Sequence, residues 1–215
     1  MDTATGLLNQ FRKPTGWFGR LNLSNMNRHH SKLADWGLAR VSIGKSSTAL
    51  DVGCGGGRTV SKLAALAPEG SIFGVDYSEA SVASSRRTNK RGIRAGRIDI
   101  RLASVSELPF AADTFDLVTA VETHFYWPDL PADVREVLRV LKPGGALLIV
   151  AEAYKGGKKA RQMQMFADAM SRTGGYSHLT VEEHRELLAS AGYSDVQVFE
   201  DYDKGWMCAT GRKRA

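Results

Sequence analysis

Residues 48–58 read TALDVGCGGGR, and this stretch decides how the rest of the chain folds. A short apolar run ends in the carboxylate of Asp51 and then breaks into glycines at Gly53, Gly55 and Gly57. Apolar residues recur at helical spacing after the glycines, which predicts a strand, a tight turn and a helix. Such a turn lets a ligand lie against bare backbone, and the helix offers unpaired N–H groups in its first turn. We therefore expect the loop to hold the polar end of a nucleotide-like cofactor.

Two details distinguish between the possible cofactors. Dinucleotide-binding loops carry a third glycine three residues after the second, and Arg58 occupies that position here. Asp51 precedes the turn, where a carboxylate would repel a pyrophosphate but attract a ligand that carries an ammonium and a sulfonium. The stretch DVGCGGG resembles motif I of class I S-adenosylmethionine-dependent methyltransferases. A glycine-rich turn that holds no ligand is the structural alternative.

The composition limits the class of protein. At 215 residues the chain is long enough for one domain with a substantial core. It holds 29 basic and 23 acidic residues, a net charge of +6. Its two cysteines, Cys54 and Cys208, form neither a disulfide framework nor a C-x-x-C motif, and we expect no metal. The longest fully apolar run, residues 146–151, is too short to span a bilayer, so we expect a cytoplasmic protein that does not enter membranes.

A second acidic residue supports a nucleotide-like ligand. Residues 71–76 predict a buried strand that ends in Asp76, 23 residues after Gly53. In nucleotide-binding folds an acidic residue at this place bonds the ribose hydroxyls. Ser78 is a good N-cap for a following helix that is expected to reach Arg91 and Gly92. A surface aspartate at the end of a strand is the simpler explanation for Asp76.

Further motifs resemble the same family in order and spacing. After a third strand at residues 98–102, the segment 103–110 (ASVSELPF) resembles one in which an aspartate bonds the adenine amino group. Ser104 stands at that position and is expected to accept the same bond more weakly. The sequences DTFD at 113–116 and LKPGG at 141–145 are further hallmarks. The resemblance implies that the cofactor is bound by Asp51, Gly53, Cys54, Gly55, Gly57, Asp76, Tyr77, Ser104, Val105 and Val121.

The end of the fourth strand is the expected place for the methyl acceptor, because ligands of open α/β sheets bind beyond the carboxyl ends of strands. Residues 122–127 read ETHFYW and contain no D/N-P-P-Y/F motif, which does not favour a DNA base as acceptor. His124 is the best-placed candidate for a catalytic general base. A histidine within an aromatic cluster is, however, often only packed and hydrogen-bonded.

The chain ahead of the first strand is predicted to be an addition to the cofactor-binding core. Residues 1–44 form this N-terminal extension, and residues 45–215 form the methyltransferase domain. A helix is expected from Ser24 or Asn25 to about Arg40. It either packs on the sheet or forms a lid that lends His29 or His30 to catalysis. The residues expected to share one face are Met26, His30, Leu33 and Trp36.

The last part of the chain predicts helices and a closing hairpin. An amphipathic helix is expected to end near Leu141, followed by a buried strand at residues 146–150. Thr180 and Glu183 form a capping box that begins another helix. Two strands, at residues 196–199 and 206–210, then form an antiparallel hairpin. The resemblance implies that a further apolar helix face helps form the substrate pocket, although methionines at helical spacing are usually part of a core. This face comprises Met163, Phe166, Ala167 and Met170.

A basic run follows the second strand and could bind the phosphates of RNA. No aromatic residues are interleaved with it, as single-strand binding requires, and a solvated helix face is the commoner explanation. We therefore expect no nucleic-acid partner. The run comprises Arg86, Arg87, Lys90, Arg91, Arg94, Arg97 and Arg101.

The sequence as a whole predicts an α/β protein with a Rossmann-like, mostly parallel sheet of seven strands. Helices are expected on both faces, with an antiparallel C-terminal hairpin and the N-terminal helical extension. The resemblance implies methyl transfer from S-adenosylmethionine, which we expect to occur by in-line displacement onto a small-molecule acceptor. Two alternatives stay open. One is an NAD(P)-dependent oxidoreductase, against which we count Arg58 and the expected absence of a Tyr-x-x-x-Lys catalytic pair. The other is a methyltransferase-like scaffold that binds without catalysis.

Overall fold

A computed structural model describes residues 31–152, 154–160 and 176–215 of the chain. Its strands are β1 (Ala49–Val52), β2 (Ile72–Asp76), β3 (Ile98–Leu102), β4 (Phe115–Val121), β5 (Leu141–Glu152), β6 (Ser194–Asp201) and β7 (Trp206–Arg212). Its α-helices are α1 (Ser31–Leu38), α2 (Arg58–Leu66), α3 (Glu79–Thr88), α4 (Lys90–Arg94), α5 (Leu130–Val140) and α6 (Val181–Ser190). A 3₁₀ turn spans His124–Tyr126.

The strands form one sheet in the order β3-β2-β1-β4-β5-β7-β6. The first five strands are parallel, while β7 runs antiparallel to both β5 and β6. This confirms the predicted seven-stranded sheet and its closing hairpin. Because the chain moves outward from β1 to β3 and then returns to β4, the carboxyl ends of β1 and β4 flank the switch point of the sheet. Ligands of such sheets bind at that point.

Helices cover both faces of the sheet, as predicted. Val134 and Val137 of α5 are fully buried on one face, where Leu188 of α6 joins them. On the other face, Leu33 of α1 and Leu63 of α2 are almost fully buried. Strand β1 is buried on both sides along its whole length, which is typical of the centre of a parallel sheet.

The helix caps confirm two predictions. The Ser78 hydroxyl accepts from the Ser81 N–H at the start of α3. Thr180 and Glu183 form the complete capping box of α6, with bonds of 3.0 and 2.7 Å between side chain and backbone. Each bond satisfies an N–H group that the first turn of a helix leaves without an internal partner.

Two predicted helix ends are wrong. The end of α3 is wrong by several residues, and the end of α5 is wrong by one. The helix expected to reach Arg91 breaks at Asn89, because the Asn89 side-chain amide donates to the carbonyls of Gly57 and Ser85. Leu141, expected in α5, instead begins β5 and pairs with Phe115. Pro143 follows two residues later and cannot continue a helix, so the chain turns into the strand at once.

The described part of the N-terminal helix is α1, which ends at Leu38 rather than near Arg40. It packs closely on the sheet, because a Cβ added at Gly37 would lie 2.4 Å from a Val150 methyl group. The Trp36 ring lies 5.9 Å from the Trp206 ring on β7. His29, His30 and the predicted face formed by Met163, Phe166, Ala167 and Met170 lie outside the described residues. Within the described ranges, no helix is long and apolar enough to cross a bilayer.

Candidate active site

A cavity of about 200 Å³ opens at the switch point between β1 and β4. The loops that follow β1, β2, β3 and β4 all contribute to its wall, so four segments far apart in sequence meet there. The cavity is lined by Val52, Gly53, Val75, Asp76, Tyr77, Ala103, Ser104, Val105, Thr123, Tyr126, Trp127 and Pro128.

The glycine loop forms one side of the cavity in a conformation that favours glycine. Gly53, Gly55 and Gly57 have φ values of 72°, 49° and 82°, in the left-handed region where a Cβ is unfavourable. A Cβ added at Gly53 would lie only 2.0 Å from the Thr123 hydroxyl oxygen. The N–H groups of Gly53 and Cys54 donate to the Val75 carbonyl at 2.8 and 2.9 Å. The loop is therefore fixed against β2, and bare backbone faces Thr123.

Asp76 is held by the backbone beside this loop. One carboxylate oxygen accepts from the Gly55 N–H and the other from the Ser78 N–H, both at 2.9 Å. Burial raises the pKa of Asp76, while these two hydrogen bonds oppose the rise. A hydrogen bond from the Ser81 side chain also opposes the rise. Because a carboxylate can accept about four hydrogen bonds in all, Asp76 keeps accepting capacity where it lines the cavity. This acceptor fits ribose hydroxyls, which donate.

Asp51 lies behind the cavity rather than in its wall. Its carboxylate is 2 % exposed and accepts a 2.7 Å hydrogen bond from the Thr119 hydroxyl of β4. Burial raises its pKa to about 7; the Thr119 bond lowers it and the charge of Asp76 raises it further. A cationic group nearby would favour the charged carboxylate and lower this pKa again. The site chemistry therefore fits a cationic ligand better than an anionic one.

The structure separates the other predicted cofactor residues into two groups. Tyr77, Ser104 and Val105 line the cavity, and the Ser104 hydroxyl accepts from the Ser106 N–H at 3.2 Å. Cys54 is buried beneath the loop, with its sulfur 3.6 Å from the Ser85 hydroxyl. The remaining predicted residues of the described chain, Gly55, Gly57 and Val121, are not part of the cavity wall either. Gly57 is instead the N-cap residue of α2.

The loop after β4 forms the opposite side of the cavity. It begins at Glu122, a non-glycine residue with a φ of 58°, and such outliers concentrate at functional sites. The Glu122 carboxylate accepts from the Glu152 N–H, and burial raises its pKa to about 8. Tyr126 and Trp127 then line the cavity. The Tyr126 ring also contacts the Tyr176 ring at 5.6 Å, so the wall is aromatic.

His124 lies within this loop but not in the cavity wall. Its ring is 2 % exposed, and its Nε2 lies 2.9 Å from Nε2 of His184 on α6. Nδ1 has no hydrogen-bond partner among the described residues. Burial, and then the nearby His184, lower the pKa of His124 well below its ordinary value. The ring is therefore neutral at pH 7, while its catalytic role stays a prediction, as does that of His30.

Three residues of this region were missed by the sequence reasoning. Thr119 bonds Asp51, Thr123 faces Gly53, and His184 bonds His124. Each contact joins residues about 60 to 70 positions apart in the chain. Helical spacing is enough to place His184 on the buried face of α6 with Leu188, but the local sequence holds no signal for its partner.

The expectation that the chain lacks a Tyr-x-x-x-Lys pair is wrong for the spacing, but the two residues do not lie in a catalytic environment. Tyr154 and Lys158 have the Tyr-x-x-x-Lys spacing found in some NAD(P)-dependent enzymes. Tyr154 is 2 % exposed, and burial raises its pKa, whereas a tyrosine acid–base needs a lowered one. Lys158 is exposed and lies 3.4 Å from Asp203.

Comparison with known proteins identifies the class of this fold and site. A family model described as a methyltransferase domain matches residues 50–149. The chain is 32% identical over 208 residues to a demethylmenaquinone methyltransferase of Geobacillus kaustophilus, covering 87% of this chain and 88% of that protein. The chain belongs to the class I S-adenosylmethionine-dependent methyltransferases.

Two further relatives are consistent with this. The chain is 32% identical over 164 residues to the ubiquinone/menaquinone biosynthesis C-methyltransferase of Geobacter sulfurreducens, covering 68% of this chain and 64% of that protein. A chain from the complex between a Haloferax volcanii methyltransferase and its activator superposes with a TM-score of 0.79. That match covers 93% of this chain and 96% of the other at 21% identity, so it shows a shared fold. None of these relatives supports the oxidoreductase alternative.

Proposed function

We propose that this methyltransferase transfers the methyl group of S-adenosylmethionine to a small-molecule acceptor by in-line displacement. The observation that carries the proposal is the cavity at the switch point, with the Asp76 carboxylate on one side and the Tyr126 and Trp127 rings on the other. One relative is named for demethylmenaquinone and another for ubiquinone/menaquinone biosynthesis, and these quinones are small molecules. A quinol headgroup is therefore the first acceptor to test.

The residues that would hold the cofactor follow from the chemistry of the cavity. Asp76 would accept hydrogen bonds from the ribose hydroxyls, and Ser104 would accept one from the adenine amino group. The backbone of Gly53 would lie against the cofactor tail. Asp51 would attract its ammonium group through the low-dielectric interior. When bound, S-adenosylmethionine supplies a methyl group that its positive sulfonium already activates.

The chain itself would align the acceptor and exclude water. Tyr126 and Trp127 offer flat apolar faces, and aromatic faces also attract cationic groups. His124 would take the acceptor's proton, because its lowered pKa leaves the ring neutral at pH 7. Since His124 is 2 % exposed, the acceptor must displace part of the aromatic wall to reach it. One residue, Phe125, separates His124 from Tyr126 along the 3₁₀ turn.

A turnover assay with a labelled methyl group tests the proposal. Purified protein would be incubated with labelled S-adenosylmethionine and separate pools of quinols, phenols, amines and thiols. We expect label to enter one small-molecule class and S-adenosylhomocysteine to form in equal amount. Cofactor binding without transfer to any small molecule, or transfer only to added protein or nucleic acid, would contradict the proposal.

A further inference from the structure

Two buried imidazoles form the strongest feature that the proposed function does not explain. His124 lies on the 3₁₀ turn after β4, and His184 lies in the first half of α6. Each ring is 2 % exposed, and their Nε2 atoms lie 2.9 Å apart. The ring centroids are 5.1 Å apart and the ring planes are tilted by 59°. The rings therefore meet through a nitrogen–nitrogen hydrogen bond rather than by stacking.

The position of each proton follows from the partners. Nδ1 of His184 lies 2.6 Å from the Thr180 carbonyl oxygen, which can only accept, so this nitrogen carries a proton. A neutral His184 then has a bare Nε2, which can only accept. Nε2 of His124 must therefore carry the proton that joins the two rings. The neutral pair has one arrangement that satisfies both hydrogen bonds, and it leaves Nδ1 of His124 unprotonated.

Both rings are neutral at pH 7. Burial lowers the pKa of His184 to about 4; the Thr180 bond and the charge of Glu183 oppose this, and His178 adds to it. For His124, burial and the neighbouring His184 act in the same direction. A second proton on the pair would place charge in a site without solvent. The tautomers deduced above are therefore those that apply under physiological conditions.

Nδ1 of His124 thus carries a buried lone pair to which no described residue donates. Buried acceptors are nearly always hydrogen-bonded, and a catalytic role is one of the explanations for an exception. His184, in turn, bonds the far side of the same ring. The hydrogen bond at one ring nitrogen decides which tautomer a histidine adopts.

We propose that His184 is a positioning residue that, with the Thr180 carbonyl, holds His124 in the tautomer whose Nδ1 receives the proton of the methyl acceptor. This inference rests on the proposed function. In the step, the acceptor's O–H or N–H bond breaks and its proton moves to Nδ1. The electron pair left on the acceptor forms the bond to the methyl carbon, and the electrons of the S–C bond go to sulfur. The positive charge lost by the sulfonium is gained by the His124 ring, whose Nε2–H then bonds His184 more strongly.

The contact between the two histidines could also serve only to hold α6 against the loop after β4. That structural role makes different predictions. Nitrogen-15 spectra of histidine-labelled protein at neutral pH report directly which ring nitrogens carry protons. We expect His124 protonated at Nε2 and bare at Nδ1, and His184 protonated at Nδ1 and bare at Nε2. A His124 ring protonated at Nδ1 would overturn the proposal whether or not the protein shows turnover.

Two variants separate positioning from packing. His184→Gln keeps an amide oxygen that can accept from Nε2 of His124, whereas His184→Leu removes the acceptor and leaves the ring free to sample both tautomers. We expect the leucine variant to lose at least about tenfold in turnover, part of the 10²–10⁴-fold that a general base supplies. Its affinity for S-adenosylmethionine should stay within about twofold of wild type, and the glutamine variant should keep most of the turnover.

The outcomes of the two parts are distinguishable. Mixed tautomers in His184→Leu with unchanged turnover would overturn the positioning role. Equal loss of turnover in both variants, with a single His124 tautomer retained, would make the contact a structural tie. A wild-type protein that has the expected tautomers but transfers no methyl group would contradict the proposed function, and with it the proton transfer to Nδ1.

Discussion

The two loops that meet at the switch point are held in different ways. The glycine loop after β1 is fixed by its own backbone, because the N–H groups of Gly53 and Cys54 donate to β2 and that of Gly55 donates to Asp76. Every one of these contacts lies within about 25 residues of the loop. A short motif is therefore enough to build this side of the cavity.

The loop after β4 depends instead on side chains from distant segments. His184 bonds His124 across 60 residues, and the Tyr176 ring packs against Tyr126. Its backbone hydrogen bonds also reach distant segments, since the Glu122 N–H donates to the Val150 carbonyl and the Ser177 N–H donates to the Phe125 carbonyl. Local backbone geometry thus sets the side expected to hold the shared cofactor, and long-range packing sets the side expected to hold the acceptor.

The largest expected effect concerns the β4 side. His124→Gln keeps a polar side chain but cannot take a proton at neutral pH, so turnover should fall by about 10²–10⁴-fold. Cofactor affinity should change little, because the expected anchors lie on the other loop. The acid limb of the wild-type rate should lie below about pH 6.5, since the pKa of His124 is lowered, and it should vanish in the variant.

Steady-state turnover across a pH series, with calorimetry of the cofactor, checks this prediction. A parallel loss of turnover and cofactor affinity would make His124 a packing residue. It would also contradict the assignment of the cofactor to one loop and of the acceptor to the other. Full activity with an unchanged pH profile would leave alignment of the acceptor as the whole of the catalysis.

The next effect concerns the backbone of the glycine loop. Gly53→Ala should lower affinity for S-adenosylmethionine by at least about 100-fold, roughly 2.7 kcal/mol, because its Cβ would collide with Thr123 at the cavity wall. Gly96→Ala is the matched control: Gly96 also has a positive φ, of 70°, but an added Cβ meets nothing within 4 Å. Gly96→Ala should lose about 1–2 kcal/mol of stability through backbone strain, and Gly53→Ala should lose more because its Cβ must also displace the Thr123 side chain.

Thermal unfolding measures the stability that each variant loses, and calorimetry measures its affinity for S-adenosylmethionine. Together they separate the effect of backbone strain from that of the collision with Thr123. Equal affinities for the cofactor would show that the space beside Gly53 is not used by the ligand.

A smaller loss is expected at the side-chain anchor of the same loop. Asp76→Ala removes the acceptor for the ribose hydroxyls and should weaken binding by about 1.5–3 kcal/mol, the usual worth of hydrogen bonds to a charged group. Asp116→Ala serves as a comparison, since that carboxylate lies at the opposite end of the sheet and bonds Lys142 and Thr48. Wild-type affinity in Asp76→Ala would refute the ribose assignment.

The smallest effect is a pH dependence of cofactor binding. The pKa of Asp51 is raised to about 7, so this carboxyl is charged above that pH and neutral below it. A cationic ligand binds the charged form, which means that affinity should fall as the pH falls from about 8 to about 6, by at most about tenfold per unit. Asp51→Asn should bind more weakly and show a flatter profile. A cofactor affinity that rises as the pH falls would contradict the role assigned to the charged Asp51 carboxylate.

Sequence reasoning predicted that Gly53 and Asp76 would lie close together, and there is a physical reason for this. Strand, glycine turn and helix are encoded within 11 residues, and Asp76 ends the next parallel strand, which pairs with β1. Parallel pairing brings the ends of neighbouring strands to one edge, so spacing along the chain becomes proximity in space. The structure places Gly53, Asp76 and Ser104 around one cavity accordingly.

The β4 side could not be predicted in the same way. His124 was correctly placed at the end of β4, but its burial and its contact with His184 depend on how α6 packs against the sheet. Nothing near either histidine in the sequence specifies that contact. Similarly, a buried Asp51 paired with Thr119 follows from the register of β1 against β4, which local pattern leaves undetermined.

Calorimetric titration of the wild-type protein with S-adenosylmethionine and, in parallel, with NAD⁺ tests the central claim most directly. The fixed glycine loop, the raised pKa of Asp51 and the accepting capacity of Asp76 predict binding of S-adenosylmethionine with a Kd in the micromolar range, about −8 kcal/mol. They predict no measurable heat with NAD⁺, because the Asp51 carboxylate behind the glycine loop would repel its pyrophosphate. Binding of NAD⁺, or a folded protein that does not bind S-adenosylmethionine, would contradict the claim.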